Sequence, residues 1–205
     1  MSDFDAKAKD WDSVPARAVR AQTVAYAIRA RIPLTPDMHA LEYGCGTGLL
    51  SFALQPYLGR ITLADSSAGM LEVLARKISA RRIRNMFPLR LDLSADPPPA
   101  ERFRIIYTLM TLHHIPDTAG ILRAFIEMLD APGYLCIADL ESEDGSFHGP
   151  EFPGHKGFDR EGLKSLALAA GFCSVEFETV FHTARETAAG LKNFPMFLMT
   201  ARRRE

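Results

Sequence analysis

Three groups of residues have the types and spacing to do chemistry. The first is Gly44-Cys45-Gly46-Thr47-Gly48, which follows the short run Leu41-Glu42-Tyr43 and precedes Leu49-Leu50-Ser51-Phe52-Ala53-Leu54, a helix opening. Glycines at alternate positions between a strand and a helix bring bare backbone N–H groups against a ligand. The second group is the acids Asp65, Asp92 and Asp139, each closing a short β-rich run. The third is Leu109-Met110-Thr111-Leu112-His113-His114-Ile115. Imidazole titrates near neutrality, so His113 and His114 are candidate bases. A histidine after a buried strand can equally bond a backbone carbonyl and fix the next turn.

Asp65 lies 17 residues beyond Gly48. A carboxylate there can accept hydrogen bonds from two ribose hydroxyls. Asp92, followed by Leu93, is placed to accept from an adenine amino group; otherwise these two acids cap a helix and begin a turn. The turn reads G-x-G-x-G with Leu49 next, whereas a pyrophosphate fingerprint wants G-x-G-x-x-G. The ligand expected is therefore a nucleoside linked to an amino acid rather than a dinucleotide.

The loop 141–157 carries His148 and His155 among Glu141, Glu143, Asp144 and Glu151. Their spacing matches no tight ligand motif, so no metal is expected, and the loop reads as solvated, as an acceptor contact or as a lid. Trp11 and Phe4, near the start, either close over the ligand or staple the N-terminal segment to the domain.

These residues need a scaffold. The 205 residues suit one domain, with 1–35 as a helical N-terminal extension and 36–205 as the core. A net charge of −1 gives no global field for nucleic acid or an anionic membrane. Cys45, Cys136 and Cys173 are odd in number and far apart, which suits free thiols in a reducing cytoplasm. The polar start lacks the pattern of a secretory signal. Strands are expected at 39–43, 60–65, 86–91, 103–109 and 134–138, with helices from Pro15 to Arg31, after Ser66 or Ser67, from Thr118 to Asp130 and from Asp159 to Ala170. Pro132-Gly133 reads as the turn into the fifth strand. Two last strands, 172–181 and 194–201, lie close enough for an antiparallel hairpin. Alternating strands and helices imply an α/β fold, a mostly parallel sheet with helices on both faces.

From Leu41 to Leu140 the chain resembles the class I S-adenosylmethionine-dependent methyltransferases, in the glycine turn, Asp65, Asp92, the 109–115 stretch and Pro132-Gly133-Tyr134-Leu135. It looks most like the small-molecule branch that includes quinone-biosynthesis enzymes. The resemblance implies a Rossmann-like three-layer α/β/α sandwich with sheet order 3-2-1-4-5-7-6 and strand 7 antiparallel. It implies S-adenosylmethionine as cofactor, S-adenosylhomocysteine as product and a small-molecule acceptor. Neither nucleic acid nor membrane is an expected partner, and the state expected is monomer or homodimer. The cofactor set is Trp11, Glu42, Gly44, Cys45, Gly46, Gly48, Asp65, Ser66, Met70, Asp92, Leu93 and Thr108, with Glu42 ordering the loop and Thr108 to Leu112 nearest the methyl. One departure stands before the fourth strand, where the family's Phe-Asp is Phe103-Arg104. A non-catalytic cofactor-binding module and a protein or RNA methyltransferase are the alternatives.

Overall fold

The computed structural model describes residues 3–188 and 190–204; Met1, Ser2, Ala189 and Glu205, which the expected 1–205 domain includes, lie outside them. At the middle of the sheet is β1 (Ala40–Tyr43), buried along its whole length. A strand so enclosed needs partners on both edges. β2 (Ile61–Asp65) and β4 (Phe103–Leu109) flank it in parallel. β3 (Met86–Arg90) extends the sheet beyond β2, and β5 (Leu129–Leu140) extends it beyond β4, both in parallel. β7 (Gly190–Arg203) then pairs antiparallel with β5, and β6 (Cys173–Thr187) antiparallel with β7. The order is 3-2-1-4-5-7-6, as the sequence implied. At the entry of β4, the Arg104 N–H donates to the His39 carbonyl at 2.7 Å, so backbone pairing holds the strand there.

Helices cover both faces. On one face α2 (Pro15–Arg31), α3 (Leu49–Leu54) and α4 (Ala68–Ala80) set Val24, Ile28, Leu50, Leu54 and Leu74 against Ile105 and Tyr107. On the other, α5 (Thr118–Met128) and α6 (Arg160–Ala169) set Leu122, Phe125 and Leu163 against Leu41, Ile106 and Phe197. Each such side chain stabilises the fold by about 1.5–3 kcal/mol through lost apolar exposure. Side chains of Ser67, Asp117 and Asp159 cap α4, α5 and α6 by accepting from Met70, Gly120 and Gly162 N–H groups. A short helix, α1 (Asp3–Lys7), and a 3-10 turn (Ala8–Ser13) precede α2. No helix among the described residues is long and apolar enough to cross a membrane.

Two expectations are corrected. Pro132-Gly133 is not a turn before the fifth strand but lies within the extended run Leu129–Leu140, where the ladder to β4 shifts register between Phe103 and Ile105. The last two strands are also longer than expected. β5 pairs with β7 only as far as Leu140 opposite Met196. Pro195 follows, with no N–H to donate, though its carbonyl accepts from Glu141 N–H at 3.0 Å. Beyond it, 182–187 and 190–195 continue as a two-stranded arm past the end of β5. Mixed residues such as His182-Thr183-Ala184-Arg185 gave no β periodicity, because this arm has no sheet neighbour to bury against.

Candidate active site

The cofactor half is built by strand ends. As the chain leaves β1, Gly44 and Cys45 N–H groups both donate to the Ala64 carbonyl, at 2.8 and 3.0 Å, which folds the loop over β2. Gly44, Gly46 and Gly48 all have positive φ. A Cβ on Gly44 would stand 2.2 Å from the Thr111 side chain, and one on Gly48 2.6 Å from Leu74 Cδ1. At Gly46 the nearest such atom is Trp11 Nε1 at 3.9 Å, an ordinary contact, so this glycine is the least crowded of the three.

Gly48 is the N-cap of α3 and has no side chain to cap with. Glu42 does that instead: its Oε2 accepts from the N–H of Ser51, the third residue of the helix, at 3.1 Å. Glu42 is only 2% exposed, and burial pushes its pKa up to about 8 despite that bond. Asp65 accepts from Gly46 N–H at 2.7 Å on Oδ2 and from Ser67 N–H at 2.8 Å on Oδ1. Burial raises its pKa, against the backbone hydrogen bonds from Ser67, Gly46 and Ser66 that lower it. A cleft of about 430 Å³ is lined by Ser66, Arg90, Asp92, Ala95 and Asp96. Asp92 Oδ1 accepts from Ser94 N–H at 3.0 Å, and Leu93 N–H donates to the Tyr43 hydroxyl at 3.0 Å.

The N-terminal segment lies across this loop. Asp12 accepts from Thr47 Oγ1 at 2.5 Å and from Lys77 Nζ at 2.5 Å, while Lys77 also donates to the Thr47 carbonyl at 2.8 Å. Asp5 accepts from Ser67 Oγ at 2.6 Å and from Gly69 N–H at 2.9 Å at the start of α4. Trp11 is sandwiched between Gly46 and the Arg17 guanidinium, which lies 3.8 Å from the ring centroid. Phe4 joins Trp11 to His114, with centroids at 6.0 and 5.2 Å.

On the other side of the loop, His113 is buried and its Nδ1 lies 2.6 Å from Asp139 Oδ1. An ionised carboxylate only accepts, so Nδ1 carries the proton and Nε2 is left bare. Asp139 is itself held by the N–H groups of His113 at 3.2 Å and Leu140 at 2.8 Å. His113 Nε2 faces His148 Nε2 at 3.1 Å, and His148 stacks on Phe152 at 4.0 Å. Burial first lowers both His114 and His148 to a pKa of about 4, helped by His113 and His148 at His114 and by His113 and Arg185 at His148, so both are neutral at pH 7. Facing ring nitrogens of His113, His114 and His148 all lie within 4.8 Å of one another.

Residues 40–133 match the family described as a methyltransferase domain. The matched segment, the curated relatives and the sheet order together indicate a class I S-adenosylmethionine-dependent methyltransferase. It is 29% identical over 155 residues to an uncharacterized methyltransferase of Schizosaccharomyces pombe, covering 68% of this chain and 55% of that one. It is 29% identical over 110 residues to a ubiquinone biosynthesis O-methyltransferase of Marinobacter nauticus, covering 53% and 46%. The chain thus spans about half the length of these curated relatives. Among solved structures, a chain of the complex between the Haloferax volcanii Trm112 methyltransferase activator and a methyltransferase superposes with a TM-score of 0.79 at 15% identity, covering 100% of this chain and 99% of that one.

The residues present fit the methyltransferase cofactor, S-adenosylmethionine. An ionised carboxylate has about four lone-pair sites. Asp65 spends part of that capacity on backbone N–H groups of the loop, and the remainder is the kind of acceptor a ribose hydroxyl needs. Asp92 and Ser66 line the cleft beside it. Cys45, Met70 and Thr108 are buried behind these residues. Thr111, not Thr108, is the threonine that reaches the loop, donating to the Gly44 carbonyl at 3.2 Å. Thr108 Oγ1 is buried without a hydrogen-bond partner among the described residues.

Sequence reasoning did not pair His113 with Asp139 or bring His148 to them. The first was open to inference, since parallel pairing of Leu109 with Ala138 sets the two strand ends side by side. The second had no signal, because His148 arrives on a loop 35 residues away. His155, by contrast, is an anchor: its ring bonds the Ile115 carbonyl at 3.0 Å and Thr118 Oγ1 at 3.2 Å.

Proposed function

We propose that the protein transfers the methyl group of S-adenosylmethionine to a small molecule bound beside His113, His114 and His148. The observation that carries this reading is the enclosure of those three imidazoles by Phe4 and Phe152, with the cofactor loop adjoining through Trp11. Ring walls of this kind suit a small acceptor better than a folded RNA or protein surface. The arginines also support it. Arg81 stacks on Phe52, Arg202 lies over Tyr134, and Arg203 donates to the carbonyls of Ile126 and Leu129. These side chains serve the fold rather than a polyanion. A quinone-biosynthesis O-methyltransferase among the relatives agrees with an acceptor of this class.

When bound, the cofactor supplies an already activated methyl group, so the protein's task is alignment and the exclusion of water. Asp65 and Asp92 hold the nucleoside end. Glu42 fixes the loop through Ser51, so the N–H groups at Gly46 stay in place. Trp11 and Phe4 shield the space between the two halves. His113 is oriented by Asp139, and the ring nitrogens of the cluster, two of them hydrogen-bonded to each other, are the groups an acceptor hydroxyl or thiol would meet.

Calorimetry with S-adenosylmethionine and S-adenosylhomocysteine is the direct test, followed by incubation with labelled cofactor and a fractionated cell extract. Label in the small-molecule fraction is expected. Label confined to protein or RNA would overturn the acceptor class, and folded protein that binds neither cofactor form would overturn the activity.

A further inference from the structure

We infer that His113, His114 and His148 form a binding site for one divalent transition-metal ion, zinc by the chemistry of its donors. That the ion's fourth position takes the acceptor's oxygen or sulfur rests on the methyl-transfer reading above; the site itself rests on geometry.

Two nitrogens bound to one tetrahedral zinc at about 2.0–2.1 Å stand about 3.3 Å apart. His113 Nε2 and His148 Nε2 are 3.1 Å apart. With no ion between them, only a shared proton reconciles two ring nitrogens at that distance. The third donor, on His114, lies within 4.8 Å of the other two and makes no hydrogen bond among the described residues, so its ring can turn inward. Three imidazole donors with an open fourth position are a catalytic zinc arrangement. A cluster with no carboxylate donor disfavours magnesium and calcium, which take oxygen ligands.

The surroundings hold the donors as a metal site does. The Asp139 carboxylate fixes the His113 tautomer and aims Nε2 at the cluster, and backbone N–H groups in turn fix Asp139. The loop that carries His148 is pinned against the end of β4. His155 N–H donates to the His113 carbonyl at 2.8 Å, and Gly154 passes so close that a Cβ would lie 2.3 Å from that carbonyl oxygen. The convergence of the rings is therefore built by the backbone, not by chance contact of side chains.

The charges around the cluster define the fourth ligand. Arg185 lies over Phe147, whose ring touches His148, and Arg17 lies over Trp11, which leads through Phe4 to His114. Arg20, one turn from Arg17, has a buried Nε without a partner among the described residues. Zinc carries two positive charges and imidazole donors bring no negative charge, so an anionic fourth ligand is favoured there. An acceptor hydroxyl or thiol binds there as its anion and releases its proton to solvent. Its lone pair then forms the bond to the methyl carbon as the carbon–sulfur bond breaks, and that electron pair returns to sulfur as a neutral thioether.

The test uses full-length protein without an affinity tag, stripped by chelator and titrated with Zn²⁺ by calorimetry and with Co²⁺ in the visible. One equivalent should bind with a Kd of about 1 μM or tighter, and Co²⁺ should show the intense bands of four-coordinate geometry. His148→Ala and His114→Ala, at partly exposed positions, should each weaken binding by about 100-fold, and Asp139→Asn by about 10–100-fold. The exposed His182→Ala should bind as the parent does. The inference is overturned if the parent shows no saturable binding below about 100 μM, or if His148→Ala and His114→Ala bind like the parent. Cofactor calorimetry on the same samples separates the two readings: cofactor binding without metal sinks only the metal site, and metal binding without cofactor sinks only methyl transfer.

Discussion

Replacing Glu42 by glutamine should change how stability depends on pH. Burial raises the Glu42 pKa from 4.5 to about 8. Between those values the folded protein holds a proton that the unfolded chain has released. Stability from this group is complete below pH 4.5 and falls by about 1.4 kcal/mol per pH unit until it is lost above pH 8. Between pH 6 and pH 8.5 the loss from Glu42 alone is about 2.5 kcal/mol. Glutamine keeps the side-chain length and an oxygen to accept the Ser51 N–H, but cannot ionise. Urea unfolding of both proteins at the two pH values gives four free energies by linear extrapolation. The parent should lose about 2.5 kcal/mol more than Glu42→Gln across this range, since groups common to both cancel in the difference. Parallel behaviour, within about 0.5 kcal/mol, would refute the reasoning. It would mean that Glu42 is ionised in the fold, held so by Lys77, whose charge favours that form.

Gly48→Ala should destabilise the protein by about 2–4 kcal/mol, combining left-handed strain at φ +81° with a Cβ 2.6 Å from Leu74 Cδ1. A shift of the urea midpoint with unchanged slope checks it. Asp65→Ala should weaken S-adenosylmethionine binding by about 10-fold or more in calorimetry, and an unchanged affinity would remove the ribose assignment. Asp12→Ala unhooks Thr47 and Lys77 together. If the N-terminal segment closes over the cofactor, affinity falls several-fold by calorimetry; if only the melting temperature falls, the segment is a staple.

The cofactor half was legible because its signals are local. The glycine spacing, the strand-end acids, and the caps at Ser67 and Asp159 depend on neighbours a few residues away, and local preference agreed with the tertiary result. Asp65 was legible as a strand-end acid beside the glycine turn but not as the group that fixes Gly46 and Ser67. Glu42 was expected to order the loop, yet the means, a substitute cap for Gly48, needed the helix start in place. Asp5 and Asp12 reach partners 62 and 35 residues away, and nothing in their spacing encodes that. Pro132 misled because proline and glycine usually end an element, whereas here they sit in a strand at a register shift.

The acceptor half was illegible for a related reason, and the sheet shows why. Ligands bind where strand order reverses, here between β1 and β4, so the parallel strand ends fix the cofactor side through backbone geometry. The antiparallel β7 alters the other side, because its hairpin with β6 can run on past the strand ends as an arm. That arm places Arg185 over Phe147 and joins Lys192 to Asp144 at 2.7 Å, bracing the loop that delivers His148. Asp139, His148 and Arg185 all lie beyond the family-matched residues 40–133, while His113 and His114 lie within them. The matched domain thus contains two of the imidazoles, and residues beyond it supply the carboxylate, the third imidazole and Arg185. A change of acceptor would therefore be sought first in the loop 141–157 and the arm, where substitutions leave the glycine turn and its acids untouched.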